Sequence, residues 1–292
     1  MTGQLAVPPS VRGSVAVDGV EIAWERWGRV GAPSVVLVHG TAAHTGWWHH
    51  VTPALVDAYD LVAFDLSGHG DSGRRAAYSL ADWSRELLAV VTEVAGTGAV
   101  VVGHSIGGLV AAGAAAMSPA VVQGLVLVDC LIDEPTPETT GPLPEVRAST
   151  VFTTLEEAVE RYRLMPLQPV PDVTVLNYVA ERSAHEVDGG WSWKLDPRIF
   201  DAVRVSPLTT AIGSVACPVA LMRGELSALV PPDAAGSLGQ RLGHPVRQYD
   251  VLNAHHHVMI DQPAPFARLL RRALDELVAE HLDAAQPTST RR

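Results

Sequence analysis

The sequence predicts an α/β fold: a mostly parallel sheet covered by helices on both faces. Three observations carry that reading. Short continuous apolar runs such as Ser34–Val38 and Ala99–Val102 suit strands buried on both sides, not half-buried strands that alternate. Helical patterns alternate with these runs, which favours parallel pairing through crossovers. The 292 residues are 47% hydrophobic and 18% charged, enough core for one large domain and too apolar for extended disorder.

The elements follow in order. Gly13–Val17 and Val20–Trp27 form a hairpin about the Asp18-Gly19 turn. Leu61–Phe64 is the next strand after Ser34–Val38. Ser79-Leu80-Ala81-Asp82 caps a helix that runs to about Ala95. Beyond Ala99–Val102, Ile106–Met117 is a helix of mostly small residues that packs closely on a sheet. Leu125–Val128, Pro218–Met222 and Val246–Val251 supply further strands, and Pro265–Leu282 a closing amphipathic helix. From Asp133 to about Val215 the rhythm breaks: no convincing sheet strand, frequent proline, and a capped helix at Thr154–Leu164. That stretch is too long for an α/β connection. The expected organisation is therefore a core of residues 1–132 and 215–282, an inserted, mainly helical cap at 133–214, and a disordered tail at 283–292.

Charge narrows the partners. With 21 Lys+Arg against 32 Asp+Glu the net charge is −11, and no basic cluster offsets it, so neither nucleic acid nor an anionic membrane surface is an expected partner. No apolar run is long enough to span a membrane, and the N-terminus lacks the pattern of a signal peptide. Cys130 and Cys217 fit free thiols, with one bridge between them the alternative, and the chain is expected as a soluble cytoplasmic protein.

The chemistry centres on Gly103-His104-Ser105-Ile106-Gly107, a G-x-S-x-G pattern with a strand before it and a helix after it. A serine on so sharp a turn projects above the sheet edge, and the glycines remove the Cβ atoms that would collide there. Ile106 offers its N–H at a helix N-terminus to a developing oxyanion, and Thr41, after His39-Gly40, is the natural second donor. A serine needs a base, and the loop Val251-Leu252-Asn253-Ala254-His255-His256-His257 follows the last strand with three candidates. Three adjacent histidines cannot all turn inward, so no metal site is expected from that run. Gly68-His69-Gly70-Asp71-Ser72-Gly73 matches a dinucleotide fingerprint, yet the following helix starts too late, at Ser79, for that role. Trp191 and Trp193, two apart, share a side if extended, as packing between cap and core or as an aromatic lid over substrate. Trp47 and Trp48 lie just past the oxyanion loop, as pocket wall or as core.

Taken with Asp65–Gly73 and the closing His-x-x-x-x-Asp261-Gln262-Pro263, these motifs resemble the α/β-hydrolase superfamily over residues 13–132 and 215–282. The resemblance implies that fold and a Ser-acid-His triad. It also implies His256 as the base, because relatives place it five residues before the acidic residue of an acidic-x-Pro motif. Relatives commonly have Gly where this chain has His255, which leaves His255 and His257 as alternatives. The usual acid slot after the penultimate strand holds Ser227, in Arg223-Gly224-Glu225-Leu226-Ser227; a subset of relatives with that serine puts the acid where this chain has Asp129, with Glu225 the alternative. The implied activity is cofactor-independent hydrolysis of a small hydrophobic carboxylic ester or lactone through an acyl-enzyme. Thioester or C–C bond (β-diketone) hydrolysis, cofactor-free peroxidation, and a catalytically weak ligand-binding member remain open.

Overall fold

The computed structural model describes residues 6–130, 150–201 and 212–285. Eight strands form one sheet: β1 (Val11–Val17), β2 (Val20–Gly28), β3 (Ser34–Val38), β4 (Asp60–Phe64), β5 (Ala99–His104), β6 (Val122–Val128), β9 (Val219–Gly224) and β10 (Arg247–Val251). Between β6 and β9 in sequence, β7 (Ala184–Val187) and β8 (Gly190–Trp193) pair separately. The spatial order is β1-β2-β4-β3-β5-β6-β9-β10. Within this sheet only the first hairpin and its junction, β2 on β4, are antiparallel, and the other pairings are parallel.

The apolar runs divide by alternation. Val36, Val38, Val101, Leu125, Leu127 and Leu221 enter one core, together with residues of helices α1 (Leu80–Val90) and α2 (Ile106–Met117). Their neighbours Val35, Leu37, Val100, Val102, Val126 and Met222 enter the other. Period-two side-chain direction in strands apolar at every position forces this two-sided burial, which is why the runs carry no polar alternation. Ser79 caps α1 as read from the sequence, its Oγ accepting the N–H of Asp82, and the last stretch to Ala95 is a wider, π-helical turn.

The segment between β6 and β9 contains α3 (Leu155–Arg161, capped by Thr154), α4 (Val173–Arg182) and the β7–β8 hairpin. That hairpin corrects the expectation of a strand-free segment: Asp188-Gly189 makes its turn, with Gly189 at φ 89°. The segment is also woven into the body, since Val175, Val179 and Ala180 pack in one core, and Ile199, Phe200, Ile212 and Val215 in the other. After α5 (Ala234–Leu242), β10 and the short α6 (Val258–Asp261), the chain ends on α7 (Pro263–Ala285). The helix thus covers 283–285, where a disordered tail was expected; 286–292 lie outside the described residues, as do 131–149 and 202–211 of the expected cap. Among the described residues no helix is long and apolar enough to cross a membrane.

Candidate active site

Parallel strands all deliver their carboxyl ends to one edge, and the site is assembled there. Ser105 stands between β5 and α2 at φ 53°, ψ −122°, a conformation non-glycine residues rarely hold without compensation. Its N–H donates to Val128 O at 3.0 Å, and its carbonyl accepts from Gly108 N at 2.9 Å. A Cβ on Gly103 would lie 2.3 Å from Gly107 O, and one on Gly107 2.5 Å from Val38 O and His39 O. The two glycines are therefore the condition for this turn. Gly40 is also closely approached: a Cβ there would sit 2.7 Å from His104 Nδ1 and 3.2 Å from the Ser105 Cβ. That approach carries Thr41 to the same edge, while Ile106, first residue of α2, has no intrahelical acceptor for its N–H.

The closing loop points its three histidines in different directions. Asp261 Oδ2 accepts the His255 N–H at 2.6 Å and faces its Nδ1 at 2.8 Å, turning His255 away from the centre. His256 then points inward, Nε2 3.2 Å from Ser105 Oγ. Its Nδ1 lies 3.8 Å from Asp129 Oδ2, and both atoms are buried without a partner. A closure of about 1 Å makes that contact a hydrogen bond, and such contacts are often long before substrate binds.

Asp129 follows β6 and is fully buried at φ 43°, its N–H bonded to Met222 O at 2.7 Å. Ser227, the residue in the slot where relatives usually hold the acid, donates its hydroxyl to Asp129 Oδ1 at 2.6 Å and accepts from Leu229 and Val230 N–H groups, each at 3.2 Å. The two strand ends thus meet. Glu225 is exposed and turned elsewhere, its Oε2 accepting the Asn253 N–H at 2.9 Å.

Two further histidines crowd the centre. His104 sends Nε2–H to His256 O at 3.1 Å, and burial holds its pKa well below the usual imidazole value. His257 is likewise buried and shifted down by desolvation; its N–H donates to Gln168 Oε1 at 2.8 Å. His257 entered the sequence reading only as an alternative base, and His104 was given no place in the site although it occupies the second position of the motif itself. The run of three does not turn inward together, as expected, yet His104 takes the place His255 vacates: one nitrogen from each of His104, His256 and His257 lies within 4.8 Å of the others.

Trp47 packs edge-on to His257 at 5.1 Å between ring centres and stacks toward His104 at 6.2 Å, whereas Trp48 is core against Phe266. Trp191 and Trp193 pack with Phe152, Ala158 and Ala184 within the inserted segment. Trp193 also meets Tyr162 edge-on at 5.7 Å, and the Tyr162 hydroxyl lies beside Trp47. The Gly68–Gly73 loop starts no helix; Asp65 ties it down, accepting N–H groups of Thr45 and Asp71 at 2.7 and 2.8 Å. Burial pushes the Asp65 carboxyl up to about 7. A cavity of about 560 Å³ lies between this loop and the β7–β8 hairpin, with Arg74, His185 and Lys194 in its wall. None of Ser105, Asp129 or His256 lines it, so its size does not make it the reaction centre.

A parallel sheet with an antiparallel entry and a strained serine at the end of its central strand, facing a histidine, defines an α/β-hydrolase fold. The chain belongs to the alpha/beta hydrolase family, whose model matches residues 35–269. It is 30% identical over 263 residues to the esterase Rv0045c of Mycobacterium tuberculosis, covering 86% of this chain and 85% of that one. It is 29% identical over 259 residues to a pimeloyl-[acyl-carrier protein] methyl ester esterase of Yersinia pseudotuberculosis, covering 83% and 93%. Among solved structures, one of Rv0045c from work on its transition metal inhibition superposes with a TM-score of 0.72 at 28% identity, over 92% and 93% of the two chains. A thioesterase domain of the curacin biosynthetic pathway reaches 0.75 at 22% identity over 89% and 98%, a likeness of fold.

Proposed function

We propose that the chain is a serine hydrolase of small carboxylic esters, working through an acyl-enzyme. The observation that carries this reading is the 3.2 Å contact of His256 Nε2 with Ser105 Oγ on a strained turn. Ser105 Oγ attacks the ester carbonyl while His256 Nε2 takes its proton. The oxyanion accepts the N–H groups of Ile106 and Thr41, which are fixed before reaction and need no reorganisation. Collapse of the tetrahedral species expels the alkoxide, which leaves as alcohol with the proton from His256. Water then repeats the sequence on the acyl-enzyme, giving the acid and free Ser105. Asp129 selects the His256 tautomer with Nδ1–H and offsets the imidazolium charge.

The relatives support the ester over the alternatives, since both are named as esterases. A lactone, as an internal ester, is within reach of the same steps. The segment between β6 and β9 acts as the cap and sets acyl preference through the path Trp193, Tyr162, Trp47. A panel of matched esters, lactones, thioesters and β-diketones tests the reading with wild type and Ser105→Ala. Esters are expected to show the highest kcat/KM, lost in the variant. Preference for diketones, or ester turnover that survives the variant, would overturn it.

A further inference from the structure

We propose that His104, His256 and His257 form a binding site for a borderline transition-metal cation, Zn²⁺ or Cu²⁺, whose occupancy silences the enzyme. The imidazoles come from two separated parts of the chain, the serine turn and the closing loop, and one nitrogen of each lies within 4.8 Å of the others. Tetrahedral zinc with Zn–N bonds of about 2.0–2.1 Å brings donor atoms to roughly 3.4 Å apart. Rotation of the rings about their side-chain torsions supplies the remaining contraction. Metal ligation also gives His104 what it lacks: its Nδ1 is buried with no hydrogen-bond partner. Buried polar atoms are nearly always paired, so that nitrogen, facing the other two rings, calls for an occupant.

The chemistry of the set selects the cation. Neutral imidazoles suit zinc and copper and are poor ligands for magnesium or calcium. His104 donates Nε2–H to a backbone oxygen, which fixes its tautomer and leaves the lone pair on Nδ1, the outer support that metal-binding histidines usually have. Inhibition follows from His256. Coordination at Nε2 takes the lone pair that receives the Ser105 proton, and coordination at Nδ1 removes its link to Asp129. This inhibitory half rests on His256 being the base; metal binding itself does not.

Cobalt(II) is the probe for binding, because its visible d–d bands report low-coordinate nitrogen ligation without any turnover. Wild type and Ser105→Ala are both expected to bind one Co²⁺ per chain with intensified bands. His257→Gln and His104→Gln are expected to lose the bands, with circular dichroism checking their fold. Zn²⁺ is expected to inhibit wild-type ester hydrolysis reversibly on chelation, and His257→Gln is expected to raise the half-inhibitory concentration by at least about tenfold, the low end of losses seen even for outer-shell changes. Absence of Co²⁺ bands in wild type, or unchanged Zn²⁺ inhibition in folded His257→Gln, would overturn the site. Bands in a protein whose Ser105→Ala variant still turns over esters would keep the metal site and discard the catalytic reading.

Discussion

Asp129 and Ser227 sit at adjacent strand ends and share one short hydrogen bond, so neither is understood without the other. Ser227 holds the carboxylate by Oδ1, which leaves Oδ2 directed at His256. Asp129→Asn keeps the shape while favouring the wrong imidazole tautomer, and is expected to lower kcat by about 10³–10⁴. Glu225→Gln is expected to cost less than about tenfold, far below the loss on removing a triad acid, because its side chain caps the Asn253 loop. Adding Ser227→Asp to Asp129→Asn is expected to restore part of the activity, since the new carboxylate starts from the same space. Steady-state rates with one activated ester decide all three. A near-wild-type Asp129→Asn beside a crippled Glu225→Gln would remove Asp129 from the mechanism.

At the scale of elements, α4 is fastened to the loop that follows β3. His44 Nε2 lies 3.0 Å from both Val179 O and Ser183 Oγ, and Tyr178 and Arg182 reach the His49–Glu25 pair. Glu25 is the keystone. Burial alone would raise its pKa, but the His49 contact and the Arg12 and Arg182 guanidiniums outweigh it and hold the carboxyl at about 2. A carboxyl lowered from 4.5 to about 2 contributes stability that is lost as pH falls through 2; because burial also lowers the His49 pKa below 6.5, the ionic share of their contact is largest between those values and fades as His49 loses its proton. Glu25→Gln is therefore expected to destabilise the fold, with the deficit shrinking between pH 4.5 and 2 in urea titrations. A deficit independent of pH across that window would assign the effect to packing. The aromatic path across the inserted segment makes a second test. Trp193→Ala is expected to change the kcat/KM ratio of long to short acyl esters, and Trp191→Ala, whose backbone pairs with Phe152, to leave it nearly unchanged. Equal ratios in both variants and wild type would remove the cap from specificity.

For the whole molecule, the parallel core was legible because its inner strands β3 and β5 are apolar at nearly every position and α1 carries an ordinary serine cap. Ile106–Met117 was read to the residue, since the serine turn marks its start. The β7–β8 hairpin was not read, although Asp188-Gly189 is the same signal as Asp18-Gly19; its flanks, Ala184-His185-Glu186-Val187 and Gly190-Trp191-Ser192-Trp193, are too short and mixed to show alternation. Ser105 announced itself through local backbone demands. His256 needed the Asp261 spacing, whose physical basis is the grip of that carboxylate on His255. The convergence of His104 with His257 depends on folding together residues some 150 positions apart, and no local pattern encodes it. All of these assignments turn on a reactive hydroxyl at one position. The most direct test treats the protein with a fluorophosphonate and reads adduct mass and site by peptide mass spectrometry. One adduct per chain, on Ser105 and absent in Ser105→Ala, is the expected result. An adduct on another residue, or an unlabelled protein that still hydrolyses esters, would contradict it.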